Sequence, residues 1–333
     1  MLRICMTAIF FLCLTPNTWA GSEKGPLSVR NQFPPHLMFL KPVPDSPRLI
    51  PRTQFNFSLS ADHASIFVNE LSGEKWSALI DMEITVLELS LEYGLTDYLT
   101  LGLDLPFVSM NSGFLDGFLE DFHSTFGLPN YGKEERPKDE FAYRLQKQGK
   151  NWFRAESGDL CLADSAVSAK LSLMDEIRKE WFLPEKLSVS YTLKMPLGDE
   201  EGGFGSGGFD HEFSLLSQFR ISPLVIYLNP SLIFLSDPET VEADISVSNI
   251  LGLFMGGEYI FSESLSLLAQ LNYYTSPFEN TGISQLDTET LQAEFGFIYK
   301  LTSSLSLEFA FCEDLTRSAP DFNVHLRMSY GNL

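Results

Sequence analysis

The chain of 333 residues carries 44 acidic against 23 basic side chains, a net charge of −21, and so lacks the basic footprint that nucleic-acid binding requires. It is rich in phenylalanine and tyrosine, with 28 and 11 copies, yet after the first 20 residues no apolar run approaches the roughly 18 residues of a membrane-spanning helix. Of four cysteines, two fall within those first residues, and the remaining pair is no disulfide framework.

Residues 1–20, MLRICMTAIFFLCLTPNTWA, have a positive start at Arg3, an apolar run from Ile4 to Leu14, and Thr18 and Ala20 spaced as in a cleavage site. This is the pattern of a secretory signal peptide. Cys13 follows bulky Phe11 and Leu12, which argues against lipid attachment there. Residues 21–50 show no alternation, and Pro34, Pro35, Pro42, Pro44 and Pro47 bar regular strand pairing. This stretch is expected to begin on the periplasmic side, with part of it entering a barrel lumen where Arg30 meets acidic groups.

From residue 51 onward, apolar and polar residues alternate with a period of two, the signature of strands with one buried face. Strands are expected near 52–61, 77–94, 98–109, 159–174, 186–197, 209–221, 223–235, 245–261, 264–275, 288–301, 304–313 and 321–330. Four of the turns are tight, at Thr96–Asp97, Ser222–Pro223, Ser262–Ser264 and Thr302–Ser304, whereas 109–158, 198–209, 236–244 and 276–289 are long. Tight turns alternating with long loops, in an even number of about twelve strands, point to an outer-membrane barrel with its turns in the periplasm. A soluble β-sandwich, the rival reading, has no reason to segregate its loops in this way. In the second strand the apolar phase passes from Ile80, Met82, Ile84 and Val86 to Leu87, Leu89, Leu91 and Tyr93, which predicts a β-bulge near Val86.

Charge parity then selects pore-lining candidates. Asp81, Glu83, Asp104, Lys194, Glu212, Arg220, Glu258, Glu294, Lys300 and Arg327 are assigned, with Glu308, to the face opposite the apolar one. A charge facing lipid at mid-membrane costs roughly 2–4 kcal/mol for Arg or Lys, so this placement predicts a polar lumen. Tyr93, Tyr98, Phe107, Tyr259, Tyr273, Tyr299 and Tyr330 lie near strand ends, as an aromatic girdle requires. Cys161 and Cys312 fall on strands that are not neighbours and are expected to stay separate.

The exception to period two is Asn111–Asn130. There Phe114, Leu115, Phe118, Leu119, Phe122 and Phe126 share one face of a helix, with Asp116, Glu120 and Ser124 opposite. Gly127 and Pro129 end it. An apolar face of this size marks an interaction site. It is expected either to constrict the barrel mouth or pack against its rim, or to lie on the membrane surface.

Other motifs carry less. Gly203, Gly205 and Gly208 spell G-x-G-x-x-G, but a strand follows where a dinucleotide site needs a helix. Asp199, Glu200, Glu201 and Asp210 could gather a divalent ion, and a mobile outer loop is the plainer reading. His63 and Ser65 would share a strand face, with Asn69 nearby, as a rim-located lipid hydrolase would need. A solvated His123, and His211 and His325 on lumen parity, complete the histidines worth naming. No zinc spacing, nucleophile elbow or phosphate loop occurs. The reading therefore assigns no catalytic residue, no metal and no cofactor.

Four segments carry a resemblance: GPLSVRNQFP (25–34), GFLDGFLEDFHSTFGLPN (113–130), PLGDEEGGFGSGGFD (196–210) and FCEDLTRSAPDFNVHL (311–326). In this order they resemble an uncharacterised family of Gram-negative outer-membrane β-barrel proteins, known only as a domain of unknown function. The resemblance spans almost the whole chain after the leader and implies a barrel, with no substrate or reaction attached. Outer-membrane strands typically finish on an aromatic residue, whereas this chain ends MSYGNL, which leaves Tyr330 to serve as that signal.

The fold expected is all-β, an antiparallel transmembrane barrel of about twelve strands with one helical extracellular loop. Residues 1–20 form the signal peptide, 21–50 the Pro-rich segment and 51–333 the barrel, with its long loop at 110–158. The function expected is a passive channel or narrow transporter for small neutral or cationic solutes. The alternative is a plugged structural or surface-interaction barrel, and the rim hydrolase comes third. Expected partners are outer-membrane lipids, lipopolysaccharide and, during biogenesis, the barrel-assembly machinery.

Overall fold

Period-two alternation becomes a wall with two faces. The computed structural model describes residues 22–72, 75–114, 117, 140–152, 155–175, 183–240, 242–316, 318, 320 and 322–331. The first five strands among them are β1 (Phe55–Ser72), β2 (Trp76–Thr96), β3 (Leu99–Asn111), β4 (Ala142–Lys147) and β5 (Lys150–Asn151). β6 (Gly158–Leu162), β7 (Ser165–Asp175), β8 (Lys186–Met195), β9 (Asp210–Ile221) and β10 (Leu224–Phe234) follow. The last are β11 (Ile250–Ile260), β12 (Leu265–Tyr274), β13 (Thr290–Lys300), β14 (Leu305–Asp314) and β15 (Phe322–Gly331).

Twelve of these strands close a barrel. Antiparallel pairing runs β1–β2–β3–β7, continues strand by strand to β15, and returns to β1 between Asn56↔Gly331 and Ser65↔Phe322. Closure leaves no open edge, which a barrel in lipid requires. The remaining three strands extend the wall at one end. β4 pairs with β2 over Trp76–Asp81, beyond the stretch of β2 held by β3, and carries β5 as a short hairpin. β6 takes the upper part of β3, with Phe107↔Leu162, and β7 takes the lower part, with Leu99↔Leu171. The tight β2–β3, β9–β10, β11–β12 and β13–β14 turns lie at what we call the inner end, with the ten-residue link from β7 to β8. The long connections after β3, β8, β10 and β12 lie at the outer end, with the three-residue link from β1 to β2.

Outward positions through the middle of the wall are apolar and exposed, among them Leu91, Leu101, Leu253, Met255, Leu267, Phe295, Leu326 and Met328. Inward positions carry Ser58, Ser60, Asp62, Gln270, Asn272, Gln292, Glu294 and Asn323, all buried. The outer end inverts this pattern. Ala64, Ile66, Val68, Ile80, Met82, Ile84, Val86, Val108 and Met110 point inward there and join Phe33, Phe39, Trp152, Phe278, Ile283 and Leu286 in one apolar cluster.

This inversion corrects three expectations. β1 runs to Ser72 rather than ending near residue 61, because its outer half has this cap to cover. No bulge breaks β2 at Val86, since its register with β1 is continuous from Trp76 to Tyr93. The same parity faces inward throughout, apolar beneath the cap and then polar at Glu88, Ser90 and Glu92. Asp81 and Glu83 consequently point outward and line no lumen. The expected strand 159–174 is also divided, into β6 and β7.

The leader and five of the six apolar residues of the expected helix, Leu115, Phe118, Leu119, Phe122 and Phe126, lie outside the described residues. Phe114 is described: it is 74% exposed and stacks on His63 at 5.7 Å.

Candidate functional site: a lumen shared by the wall and the N-terminal segment

The lumen is occupied by residues 22–50, which rise from the inner end to the outer end and return. At the inner end Glu23 pairs with Lys186 at 2.9 Å and with Arg220. The rising limb is read by wall side chains strand after strand. Glu258 on β11 accepts the amides of Lys24 and Gly25 at 2.9 and 3.1 Å. Gln270 on β12 exchanges two bonds with the Leu27 backbone, and Glu308 on β14 accepts the Ser28 amide at 2.7 Å. Gly25 packs closely here: a Cβ would stand 2.3 Å from Leu268 Cδ2, so that leucine would have to swing aside.

Arg30 then spans two strands, 2.8 Å from Glu88 on β2 and 3.3 Å from Asp104 on β3. Asn31 caps the turn that follows: its Oδ1 accepts the Phe33 amide at 2.7 Å while its Nδ2 donates to the Tyr274 hydroxyl at 2.6 Å. The apex is a single helical turn, Pro34–Leu37, whose proline start needs no donor. Its His36 stacks on Phe278, and its Nδ1 lies 3.2 Å from the Tyr274 hydroxyl. Burial pushes the His36 pKa down to about 3.

The returning limb is latched first at Lys194 on β8. This buried ammonium donates to the Met38 carbonyl at 2.7 Å and meets Asp164 and Asp210 at 2.8 and 3.0 Å. Asp210 in turn accepts the amides of Leu40 and Ser236, and Asp164 those of Gly198 and Ser206. One charge cluster thus ties the apex to three outer connections. Lower down, Pro42 packs so closely on Gly252 that a Cβ there would meet its ring at 2.2 Å. Asp45 meets Lys170 at 2.7 Å, the Ser188 hydroxyl donates to the Pro47 carbonyl at 2.7 Å, and the Ile50 amide reaches Thr100 at 2.9 Å near the inner end.

Between the segment and the wall lies a polar chamber of ≈ 200 Å³. It extends from Asn56, Arg327 and Ser329 near the inner end to Leu40 and Glu212 beneath the Lys194 latch. Above that level the apolar cluster closes the outer end.

The sequence-selected residues divide accordingly. Asp104, Lys194, Glu212, Arg220, Glu258, Glu294, Lys300 and Arg327 face inward. Glu294 accepts from Gln270 at 2.6 Å, Arg220 meets Glu185 at 2.9 Å, Arg327 donates to Ser58 at 2.8 Å and Lys300 to Ser22 at 3.2 Å. Asp81 and Glu83 do not join them. Glu83 instead accepts the Phe114 amide at 2.8 Å and lies 3.1 Å from His63 Nε2 on the outward side of the wall, where it is itself buried. His63 Nδ1 meets Thr85 at 2.9 Å, so both ring nitrogens are engaged by groups other than Ser65. His211 also faces outward, 2.9 Å from the Tyr191 hydroxyl, contrary to its expected lumen parity. His325 faces inward between Asp62 at 2.9 Å and Glu308 at 3.3 Å. Cys161 and Cys312 are both free. Among the described residues no group of His, Cys, Asp and Glu gathers as a metal site, and Asp210 is committed to Lys194.

Sequence reasoning passed over Glu88, Asp164 and Lys170. Lys170 could have been found, since it shares parity with Ala166 and Ser168, whereas the bulge assigned to β2 hid Glu88.

The fold is similar to that of the COG4313 outer membrane channel from Pseudomonas putida F1, with 18% identity, a TM-score of 0.57, and 87% of this chain and 100% of that one covered. The CymD monoaromatic hydrocarbon channel has 12% identity and a TM-score of 0.41 over 84% of this chain and 88% of that one. The translocator domain of autotransporter NalP from Neisseria meningitidis has 7% identity and a TM-score of 0.45 over the same shares. Both are too distant to argue from. No curated protein matches the chain. A family model described as a protein of unknown function, DUF3187, matches residues 1–332, and the chain belongs to that family.

Proposed function

We propose that this protein is an outer-membrane channel of a Gram-negative bacterium, exported by its signal peptide, that admits small neutral or cationic solutes and is closed at rest by its own N-terminal segment. The observation that carries the reading is the polar chamber beside residues 22–50, lined by charged wall side chains and lying below the apolar cluster of the outer end. A barrel built only as a scaffold gains nothing from leaving such a space between charged walls. Its surroundings are membrane lipids and lipopolysaccharide, with the barrel-assembly machinery as its partner during biogenesis. The reading includes no catalysis.

The test is single-channel conductance of the refolded protein in a planar bilayer, beside a variant lacking residues 25–45. The intact chain should conduct weakly or in brief openings, and the deletion should give steady, larger currents. One observation favours the alternative of a plugged structural barrel: wall groups hold both limbs of the segment over its full height. Silence from the deletion variant, in a barrel that still shifts its gel mobility on heating, would establish that alternative and end the channel reading.

A further inference from the structure

The chamber's carboxylates are engaged with one exception. Arg30 holds Glu88 and Asp104, Lys170 holds Asp45 at 2.7 Å and Glu92 at 3.6 Å, and His325 faces Glu308. Glu212 on β9 is 5% exposed; among the described residues its only hydrogen-bond partner is the Ser214 hydroxyl at 2.8 Å, and no cation forms an ion pair with it, Arg30 acting on it only from a distance. The lysine one pair above it, Lys194, is spent on Asp164 and Asp210. A buried carboxylate without a paired cation is an unfavourable arrangement that a cation bound in contact relieves.

The register supplies the rest of a site. Thr192 lies directly opposite Glu212, and Ser190 directly opposite Ser214. Both hydroxyls line the chamber, and neither has a protein partner among the described residues. One carboxylate and three hydroxyls therefore sit on two cross-strand pairs at the deep end of the chamber, with Leu40, Val43 and Leu216 also among its lining. Calcium or magnesium calls for more oxygen ligands and more negative charge than this arc offers. An ammonium group takes a single carboxylate and spends its other N–H bonds on hydroxyls, and the three aliphatic side chains suit a short carbon chain. The volume of ≈ 200 Å³ is several times the ~30 Å³ share of one water, enough for such an ion with part of its hydration.

We propose that Glu212, with Ser190, Thr192 and Ser214, forms a subsite for a small organic ammonium ion inside the chamber. This rests on reading the chamber as solute space, and it is tested by binding rather than by current. Saturation-transfer NMR on the full refolded chain in micelles would compare ethylammonium with its neutral analogue ethanol. Transfer to ethylammonium is expected, and transfer to ethanol is not. Glu212→Gln should weaken ethylammonium binding at least about tenfold, the size of one lost charge-assisted hydrogen bond. Thr192→Val, which keeps the charge, should weaken it by a smaller factor and serves as the second variant should Glu212→Gln fail to fold. Equal transfer to the two probes, or no loss in either folded variant, would overturn the subsite. A protein that binds ethylammonium yet never conducts would keep the subsite and sink the channel, and a conducting protein with no binding would do the reverse.

Discussion

Arg30 joins the N-terminal segment to two strands through one planar group, and that geometry makes it irreplaceable by lysine. Arg30→Ala leaves Glu88 and Asp104 without the cation that bridges them, and should cost roughly 2–3 kcal/mol of segment docking. Limited proteolysis should then cut within residues 22–50 far faster than in the parent. Arg30→Lys should recover only part of the loss, because a point charge cannot bridge both carboxylates. His36 adds a pH dependence of known sign. Its folded pKa of about 3 lies below the ordinary 6.5, so the undocked segment binds more protons. Docking strength from this residue is complete above pH 6.5 and is lost as pH falls toward 3. Proteolysis of the segment should accelerate over that window, and His36→Phe should remove the part of the acceleration that exceeds lumen-carboxylate titration.

At the scale of single elements, β10 carries Pro230 in a strand paired on both sides. The ladder to β9 holds at Leu228↔Ser217 and again at Ser231↔Ser214, and skips the two positions between. Proline removes a donor there, and the Ser217 hydroxyl donates to the Leu228 carbonyl at 2.5 Å. Pro230→Val should restore one ladder bond, worth about 1 kcal/mol, and raise the urea midpoint of the refolded barrel. How far the elements were legible also turns on position along the strand. From β9 to β15, inward and outward residues sorted correctly wherever the strand lies between lipid and the polar lumen. The rule failed where strands rise beyond that belt. There Ile80, Met82 and Ile84 turn in toward Phe33 and Phe39, while Asp81 and Glu83 turn out. Period two was still present, but its apolar face had changed sides, and a sequence read strand by strand takes that for a bulge. His211 was misassigned for a different reason: it directly precedes inward-facing Glu212, and successive residues of a strand face opposite sides. The partners of Glu258, Gln270 and Glu308 were illegible, because they are backbone amides whose register only the folded segment sets.

The whole molecule is strongly acidic, whereas residues 22–50 carry Lys24, Arg30, Lys41 and Arg48 against Glu23 and Asp45. The segment is thus a counter-charge for the wall. Removing residues 25–45 takes out Arg30, Lys41 and Asp45, leaves Glu88 and Asp104 without their shared guanidinium, and takes the Gly25 and Ser28 amides away from Glu258 and Glu308. The deletion barrel should therefore be more cation-selective than any opening of the intact chain, measured as a larger shift of reversal potential in a salt gradient. Equal selectivity in the two would mean that wall charges rearrange to compensate one another.

The path of residues 22–50 has a topological meaning. Its first contacts, Glu23 with Lys186 and Arg220, and its last, Ile50 with Thr100, lie at the same end of the cylinder. The chain enters and leaves by one mouth, as a bight of rope pushed into a pipe does, so nothing is threaded. The bight can be withdrawn and reinserted while the seam between β1 and β15 stays shut, and the cylinder can close before or after it is filled.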